Sequence, residues 1–440
     1  MSDPFARPYV VSWNLTYRCN LACEHCYLDA GGAPQVGTEN FADRSELGTE
    51  ECYRVIDDIA AFAPECLTIL TGGEPLLRRD ILDIVRRAAD RGLWVVVGTN
   101  GVRISENVAA RLAEAGARGL SLSLDALDPD RHDRFRRVRG AWQNTVDGAQ
   151  ILNRTALPFI VQTTAGAHNL NELDAIADFA YERLAAKVWN LYFLVPTGRG
   201  QFVSDMTAAE YDEVLASLYR IQRKYSGRML VNAKCAPHYI KTVLAQGDAE
   251  DRVRTYAGGA GGCPAGTHYM GIRPNGDVTP CPYLPVFAGS LRSASLTELW
   301  NTSDLFTGIR RRASLGGRCG ECEMNAQCGG CRARAFGMTG DLMAEDPLCT
   351  HIPGTFAGSP LLSVQRPARL EYGGPSPATI AWDADASERM KKIPAFVRGM
   401  VVKAVEDSCR KNGVSRVSVE ELEKIRARMP TPKMFGRAGS

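Results

Sequence analysis

Residues 10–26 read Val10-Val11-Ser12-Trp13-Asn14-Leu15-Thr16-Tyr17-Arg18-Cys19-Asn20-Leu21-Ala22-Cys23-Glu24-His25-Cys26. The apolar, β-branched run from Val10 to Leu15 predicts a strand, and three cysteines at x3 and x2 spacing follow it on a loop. Three thiolates so spaced can hold three corners of a cubane iron–sulfur cluster and leave the fourth iron open to a ligand. Zinc is the competing reading, but it wants four protein ligands, and only His25 lies inside the loop to complete the set. An open iron implies chemistry.

Further strands are expected at Leu67–Thr71, Trp94–Gly98, Gly119–Leu124, Phe159–Thr164 and Val188–Val195. Helical periodicity fills the gaps, as in Ile81, Ile84, Val85 and Ala88, then Val108, Leu112 and Ala115, with Gly92 and Gly116 at the stops. Six strands alternating with helices mean parallel βα units, as an open sheet or an incomplete barrel, with ligands at the carboxyl ends of the strands. The cysteine loop lies at such an end.

From about residue 235 to 351 the periodicity fades and eight cysteines appear, so this segment is expected to fold around metal. Residues 353–379 are rich in proline and glycine and read as a linker. Beyond it, Met390, Ile393, Val397, Val401, Ala404 and Val405 form a helical stripe, and Ser418 with Glu421 predicts a capping box. The expected organisation is 1–230 for the α/β unit, 231–352 for the cysteine-rich unit, and 380–430 for a small helical unit.

Composition narrows the function. The 440 residues carry 52 Lys plus Arg against 50 Asp plus Glu, so nothing argues electrostatically for nucleic acid or an anionic membrane. No apolar run reaches the length of a membrane span, and the first residues lack a signal peptide, which predicts a cytoplasmic protein with reduced thiols. Fourteen cysteines in that setting point to metal ligation rather than disulfides.

Cys19, Cys23 and Cys26 resemble the Cys-x3-Cys-x2-Cys signature of the radical S-adenosylmethionine (SAM) superfamily. The resemblance implies a partial (βα)6 TIM-like barrel, with a [4Fe-4S] cluster whose open iron chelates SAM and His25 beside the adenine. Its bland counterpart is a solvent-facing loop histidine. The loop Gly72-Gly73-Glu74-Pro75 after the second strand is similar to the family's loop for the SAM amine, where Glu74 could take the ammonium group. Asn100 in Thr99-Asn100-Gly101, and Ser123 and Asp125 in Ser121-Leu122-Ser123-Leu124-Asp125, resemble loops lining the cofactor pocket, though ordinary turns look the same. In the His132-Asp133-x-x-Arg136 pattern the resemblance points to Arg136 as partner of the SAM carboxylate.

Cys263-x12-Gly276-x4-Cys281, then Cys319-x2-Cys322-x5-Cys328-x2-Cys331 and Cys349, resemble the SPASM extension, which holds two auxiliary [4Fe-4S] clusters. The usual pattern has three residues, not two, between the third and fourth cysteines of the central block. Family logic assigns Cys319, Cys322, Cys328 and Cys349 to one cluster and Cys263, Cys281 and Cys331 to the other. Cys235 is the nearest remaining thiol to complete the second set, with His238 or an open iron as alternatives. Four thiolates also suit zinc. Cys52, Cys66 and Cys409 read as packing residues.

Trp13-Asn14-Leu15-Thr16, Leu194-Val195-Pro196-Thr197-Gly198-Arg199-Gly200 and Cys328-Gly329-Gly330-Cys331-Arg332-Ala333-Arg334-Ala335 look like the branch that modifies heme side chains in heme d1 and siroheme-dependent heme biosynthesis. Trp382 to Arg428 is similar to the small C-terminal domain of dark-operative protochlorophyllide reductase, a domain those heme enzymes do not generally carry. A generic docking or oligomerisation tail is the alternative there. The resemblance implies a tetrapyrrole substrate, with Arg199, Arg332 and Arg334 suited by type to its carboxylates and Tyr192, Phe193 and Tyr283 to its rings. It also implies a reducing electron donor such as ferredoxin or flavodoxin. The rivals are a SPASM maturase acting on a ribosomal peptide, and an iron–sulfur electron carrier, which would need no SAM pocket.

Overall fold

The structure is a computed structural model that describes residues 6–31, 45–155, 157–203, 206–247, 262–359, 380–391 and 395–428. All six expected strands form, as β1 (Val10–Asn14), β2 (Leu67–Thr71), β3 (Trp94–Gly98), β4 (Gly119–Ser123), β5 (Phe159–Ala165) and β6 (Val188–Phe193). They pair in sequence order, each parallel to the next, as right-handed βα units require.

The sheet is larger than expected. A seventh parallel strand, β7 (Leu230–Lys234), adds to β6, and β8 (Tyr269–Ile272) pairs parallel with the free edge of β1. Antiparallel β9 (Asp277–Thr279) and β10 (Gly289–Ser290) complete the order β10-β9-β8-β1-β2-β3-β4-β5-β6-β7. The partial barrel therefore stands, and the cysteine-rich segment contributes strands to the same sheet. β7 escaped the sequence reading because Asn232 and Lys234 interrupt its apolar character, and both line the barrel interior.

Strand alternation divides the molecule. One side chain row of each strand, including Leu70, Val95, Val97, Leu120, Val161 and Trp189, packs outward on helices α1 (Thr49–Phe62) and α2 (Ile81–Asp90) and their successors. The other row, including Ile69, Ser121, Gln162, Asn190 and Tyr192, faces an interior cavity. Cys52 and Cys66 belong to the outer core, as packing residues should.

The C-terminal unit has its own small core of Ala386, Val405, Cys409, Val417 and Ile425. Met390 is buried and Val401 packs on this core, whereas Ile393 and the side chains of Val397 and Ala404 lie outside the described residues. Residues 360–379 of the expected linker also lie outside them. Ser418 Oγ accepts the Glu421 amide at 3.2 Å, which is one half of the expected capping box. Among the described residues no helix is long and apolar enough to cross a membrane.

Leu70 is fully buried between β2 and the helices. Leu70→Ala should cost about 2–5 kcal/mol, the range for an aliphatic truncation that leaves a cavity. A lowered denaturant midpoint, with an unchanged dependence of free energy on denaturant, is the expected result.

Candidate functional site

Cys19, Cys23 and Cys26 line a pocket at the carboxyl ends of the strands, together with His25, Gly72, Gly73, Asn100, Ser123 and Arg136. Backbone amides of Leu21 and Ala30 donate to Cys19 Sγ (3.4 Å) and Cys26 Sγ (3.3 Å), and Arg136 Nη1 donates to Cys23 Sγ (3.5 Å). Burial pushes the Cys19 thiol up to about 12 and also raises Cys23. Buried sulfurs that would otherwise stay protonated, yet are met by N–H donors, fit thiolates whose charge is offset by a cluster.

An arginine holds the loop in shape. Arg199, on the segment after β6, donates through Nε to Cys23 O (2.9 Å), through Nη1 to Asp29 (2.7 Å) and through Nη2 to Ala30 O (2.8 Å). Both Arg199 and Asp29 are buried. Gly198 beside it has φ +55°, and a Cβ there would lie 2.5 Å from the carbonyls of Cys26 and Tyr27. Arg199 is thus engaged with the cysteine loop, and the expectation that it would receive a substrate carboxylate is corrected. Arg332 and Arg334 are corrected likewise. Arg332 bonds the carbonyls of Leu342 and Ala344, and Arg334 bonds Asp346 and the carbonyl of Cys235, both guanidinium groups being sealed from solvent.

The Gly-Gly-Glu-Pro loop divides its labour. Gly72 and Gly73 face the pocket, and a Cβ on Gly73 would stand 2.3 Å from Arg18 O, so only glycine permits this approach to the cysteine loop. Glu74 turns away. Its carboxylate accepts from Leu76 N (3.0 Å), Asn100 N (2.9 Å) and Thr99 Oγ1 (2.9 Å), clamping the turns after β2 and β3 together. That engagement corrects the expectation that Glu74 would reach an ammonium group. Pro75 opens the short 3-10 turn behind the loop, and is buried. Asn100 keeps its amide in the pocket, donating to Asn20 Oδ1 at 2.9 Å.

Asp125 and Arg136 form a buried ion pair, with Nε 2.7 Å from Oδ2. Burial opposes the Asp125 charge, and the Arg136 guanidinium overcomes it, holding the carboxyl at about 2. Asp125 lies behind the pocket wall, whereas Arg136 lines the pocket. His25 stacks on Phe135 (4.4 Å, 2°), which stacks in turn on His168 (3.9 Å), and burial lowers His25 to about 3, so its ring is neutral. Phe135 and His168 were missed by the sequence reading, since one sits within a charge run and the other on a loop without a motif.

Eight further cysteines gather into two groups. Cys235, Cys263, Cys281 and Cys331 line the lower cavity together, with Cys235 in a left-handed backbone conformation at φ +57°. Cys319, Cys322, Cys328 and Cys349 line a separate small pocket with His238 and Asp346. The Asp346 carboxylate stands between the groups, accepting from Cys331 N (2.7 Å), Arg334 Nη1 (3.0 Å) and Leu348 N (3.2 Å), with His238 Nε2 at 3.0 Å. His238 is thereby turned to Asp346 and the second group, away from the role of alternative ligand with Cys263.

A partial barrel with three thiols grouped in a pocket at the carboxyl ends of its strands, and two further groups of four, has the donor set of an iron–sulfur enzyme. Comparison with known proteins makes the class specific. Residues 13–180 match the radical SAM superfamily, 263–332 match an iron–sulfur cluster-binding domain, and 382–426 match the proto-chlorophyllide reductase 57 kD subunit. The chain is 36% identical over 352 residues to the AdoMet-dependent heme synthase of Methanosarcina barkeri, covering 79% of this chain and 97% of that one. It is 31% identical over 361 residues to the pre-heme d1 synthase of Dinoroseobacter shibae, covering 77% and 85%. The solved structure of Streptococcus suis SuiB bound to S-adenosylmethionine shares the fold, with a TM-score of 0.63 at 17% identity over 79% of this chain and 78% of that one. The chain belongs to the radical SAM superfamily, as a member with a SPASM iron–sulfur extension. It is an enzyme that uses SAM with a [4Fe-4S] cluster.

Asp346→Ala strands Arg334 and His238 without their counter-charge, and should cost roughly 3–5 kcal/mol. A lowered unfolding midpoint and reduced iron content after reconstitution are expected. His132 accepts the Asp125 amide on Nδ1 (3.2 Å), and burial lowers it to about 4. Unfolded histidine protonates near about 6.5, so this stabilisation is present above that pH and lost as pH falls toward about 4. His132→Gln should flatten the loss of stability over that window in denaturant titrations, and an unchanged slope would count against the assignment.

Proposed function

We propose that the enzyme modifies a side chain of a heme-type tetrapyrrole, by oxidative decarboxylation or removal of a propionate. The observation that carries this reading is the 36% identity to a heme synthase along 97% of that relative's length. The C-terminal match to a protochlorophyllide reductase subunit supports the same substrate class. In this reading Cys19, Cys23 and Cys26 hold the SAM cluster, and the two thiol groups hold one auxiliary [4Fe-4S] cluster each, with Cys235 as the fourth ligand of the set containing Cys263, Cys281 and Cys331. When bound, the first cluster supplies the electron that cleaves SAM to methionine and a 5'-deoxyadenosyl radical.

The chain's own residues do the positioning. Gly72 and Gly73 offer backbone to the SAM amine, Arg136 faces its carboxylate, and the neutral His25 ring, fixed by Phe135, offers a flat surface to the adenine. Asn100 and Ser123 complete the polar wall. Tyr192, Tyr269 and Tyr283 line both the SAM pocket and the lower cavity that reaches Cys235, Cys263, Cys281 and Cys331. A substrate lying between them contacts the radical source on one side and an electron acceptor on the other, as an oxidative outcome needs. A small reducing protein of the ferredoxin or flavodoxin type would supply the priming electron.

The test is anaerobic reconstitution followed by titration with iron-coproporphyrin III and siroheme derivatives while assaying 5'-deoxyadenosine. About twelve irons per chain are expected, falling by about four in Cys19→Ala/Cys23→Ala/Cys26→Ala. Saturable tetrapyrrole binding that raises deoxyadenosine formation supports the reading. SAM cleavage that no tetrapyrrole stimulates overturns it and moves the search to peptide substrates.

A further inference from the structure

None of the three arginines suited by type to substrate carboxylates lines the interior cavity, so the cavity must meet an anionic arm by other means. Its lining alternates as parallel strands dictate. β6 presents Val188, Asn190 and Tyr192 and β7 presents Leu230, Asn232 and Lys234, paired in register as Val188↔Leu230, Asn190↔Asn232 and Tyr192↔Lys234. The interior thus grades from an aliphatic base, through an amide layer in which Asn232 Nδ2 donates to Asn190 Oδ1 at 2.9 Å, to a rim carrying a phenol and an ammonium group.

Among the described residues lining this cavity, Lys234 is the single Lys or Arg, and no Asp or Glu is present. Among the described residues lining the neighbouring SAM pocket there is no carboxylate either. Its two arginines, Arg136 and Arg199, are each already paired, with Asp125 and Asp29. A carboxylate entering from either side therefore meets no carboxylate among the described lining residues, and Lys234 lines the same cavity as Cys235, Cys263, Cys281 and Cys331, so its charge offsets that of the thiolates assigned to the proposed cluster. Lys234 sits half-buried, in strand register with Tyr192 and directly before Cys235 in the chain. A charge-assisted contact in such a walled site is stronger than one at the surface.

We infer that Lys234 anchors a carboxylate arm of the substrate, placing the body of the substrate against Tyr192 and Tyr283 with its opposite edge toward the SAM pocket. This rests on the tetrapyrrole reading and deepens it, since a propionate-bearing macrocycle offers several such arms. Lys234 is here a specificity-determining residue that fixes which arm points to the radical source.

The experiment titrates ferric coproporphyrin III into the reconstituted enzyme, following the Soret band, for wild type, Lys234→Met, Lys234→Gln and Lys234→Arg. Loss of a charged hydrogen bond should weaken binding roughly ten- to hundred-fold in the Met and Gln variants, while the Arg variant stays within about threefold. Raising ionic strength should weaken binding more in wild type than in Lys234→Gln, a difference that packing damage alone would not produce. Wild-type binding matched by both neutral variants overturns the Lys234 anchor and leaves the tetrapyrrole reading intact. Absence of any Soret change in wild type overturns the tetrapyrrole reading itself, and the anchor with it.

Discussion

Three thiols must be presented to one space by a loop that has no helix or strand of its own to stiffen it, and the Arg199 guanidinium is what makes this possible. Its donors reach the Cys23 and Ala30 carbonyls and the Asp29 carboxylate at once, so a single planar group fixes both limbs of the loop. A lysine could not replace it, because a point charge lacks the rigid fork that spans three acceptors. The arginine is carried on the chain leaving β6, which stands five strands away from β1 in the sheet. The loop is therefore correct only when the barrel has curved enough to bring its far side back over the first strand. Shape of the sheet and geometry of the cysteines are one constraint.

The same economy governs the other buried charges. Asp125 with Arg136, which opens on the pocket, and the buried trio of Asp346, Arg334 and His238 are groupings whose separate members would each be costly to bury. Each also touches a cysteine segment, through Cys23 Sγ in one case and the Cys331 amide in the other. Removing Arg136 removes a direct donor to Cys23 Sγ, whereas removing Asp125 perturbs that thiol through the ion pair. The charges are placed so that the fold cannot relax without the metal-binding segments moving.

Much of this was legible from spacing alone. The six strands follow from apolar runs whose outward rows had to be buried under helices, while the division of eight cysteines into two sets came from the resemblance to the SPASM extension, and the two sets line separate pockets. What was not legible has a common cause. Glu74, Arg199, Arg332 and Arg334 were read by residue type as groups that face a ligand, but each has its polar atoms directed at backbone or at a buried partner. Sequence shows that a guanidinium is present and not which way it points. Phe135 and His168, conversely, carry no motif, and become visible only when His25 is seen stacked at the end of their row.

β7 is the instructive miss. A strand reveals itself by apolar alternation when one face is core and the other solvent, but β7 turns its inner face to a cavity, and that face carries Asn232 and Lys234. The departure from pattern is itself the mark of function, because polar groups facing an enclosed space are costly unless something there uses them. The strand hardest to read as structure is thus the one that ends at Lys234, directly before Cys235, and brings a charge to the cavity those thiols line. Among the described residues of inward rows that are otherwise aliphatic, hydroxyl, amide or aromatic, Lys234 is the one cation, and on the reading proposed above it is the group that orients an anionic substrate.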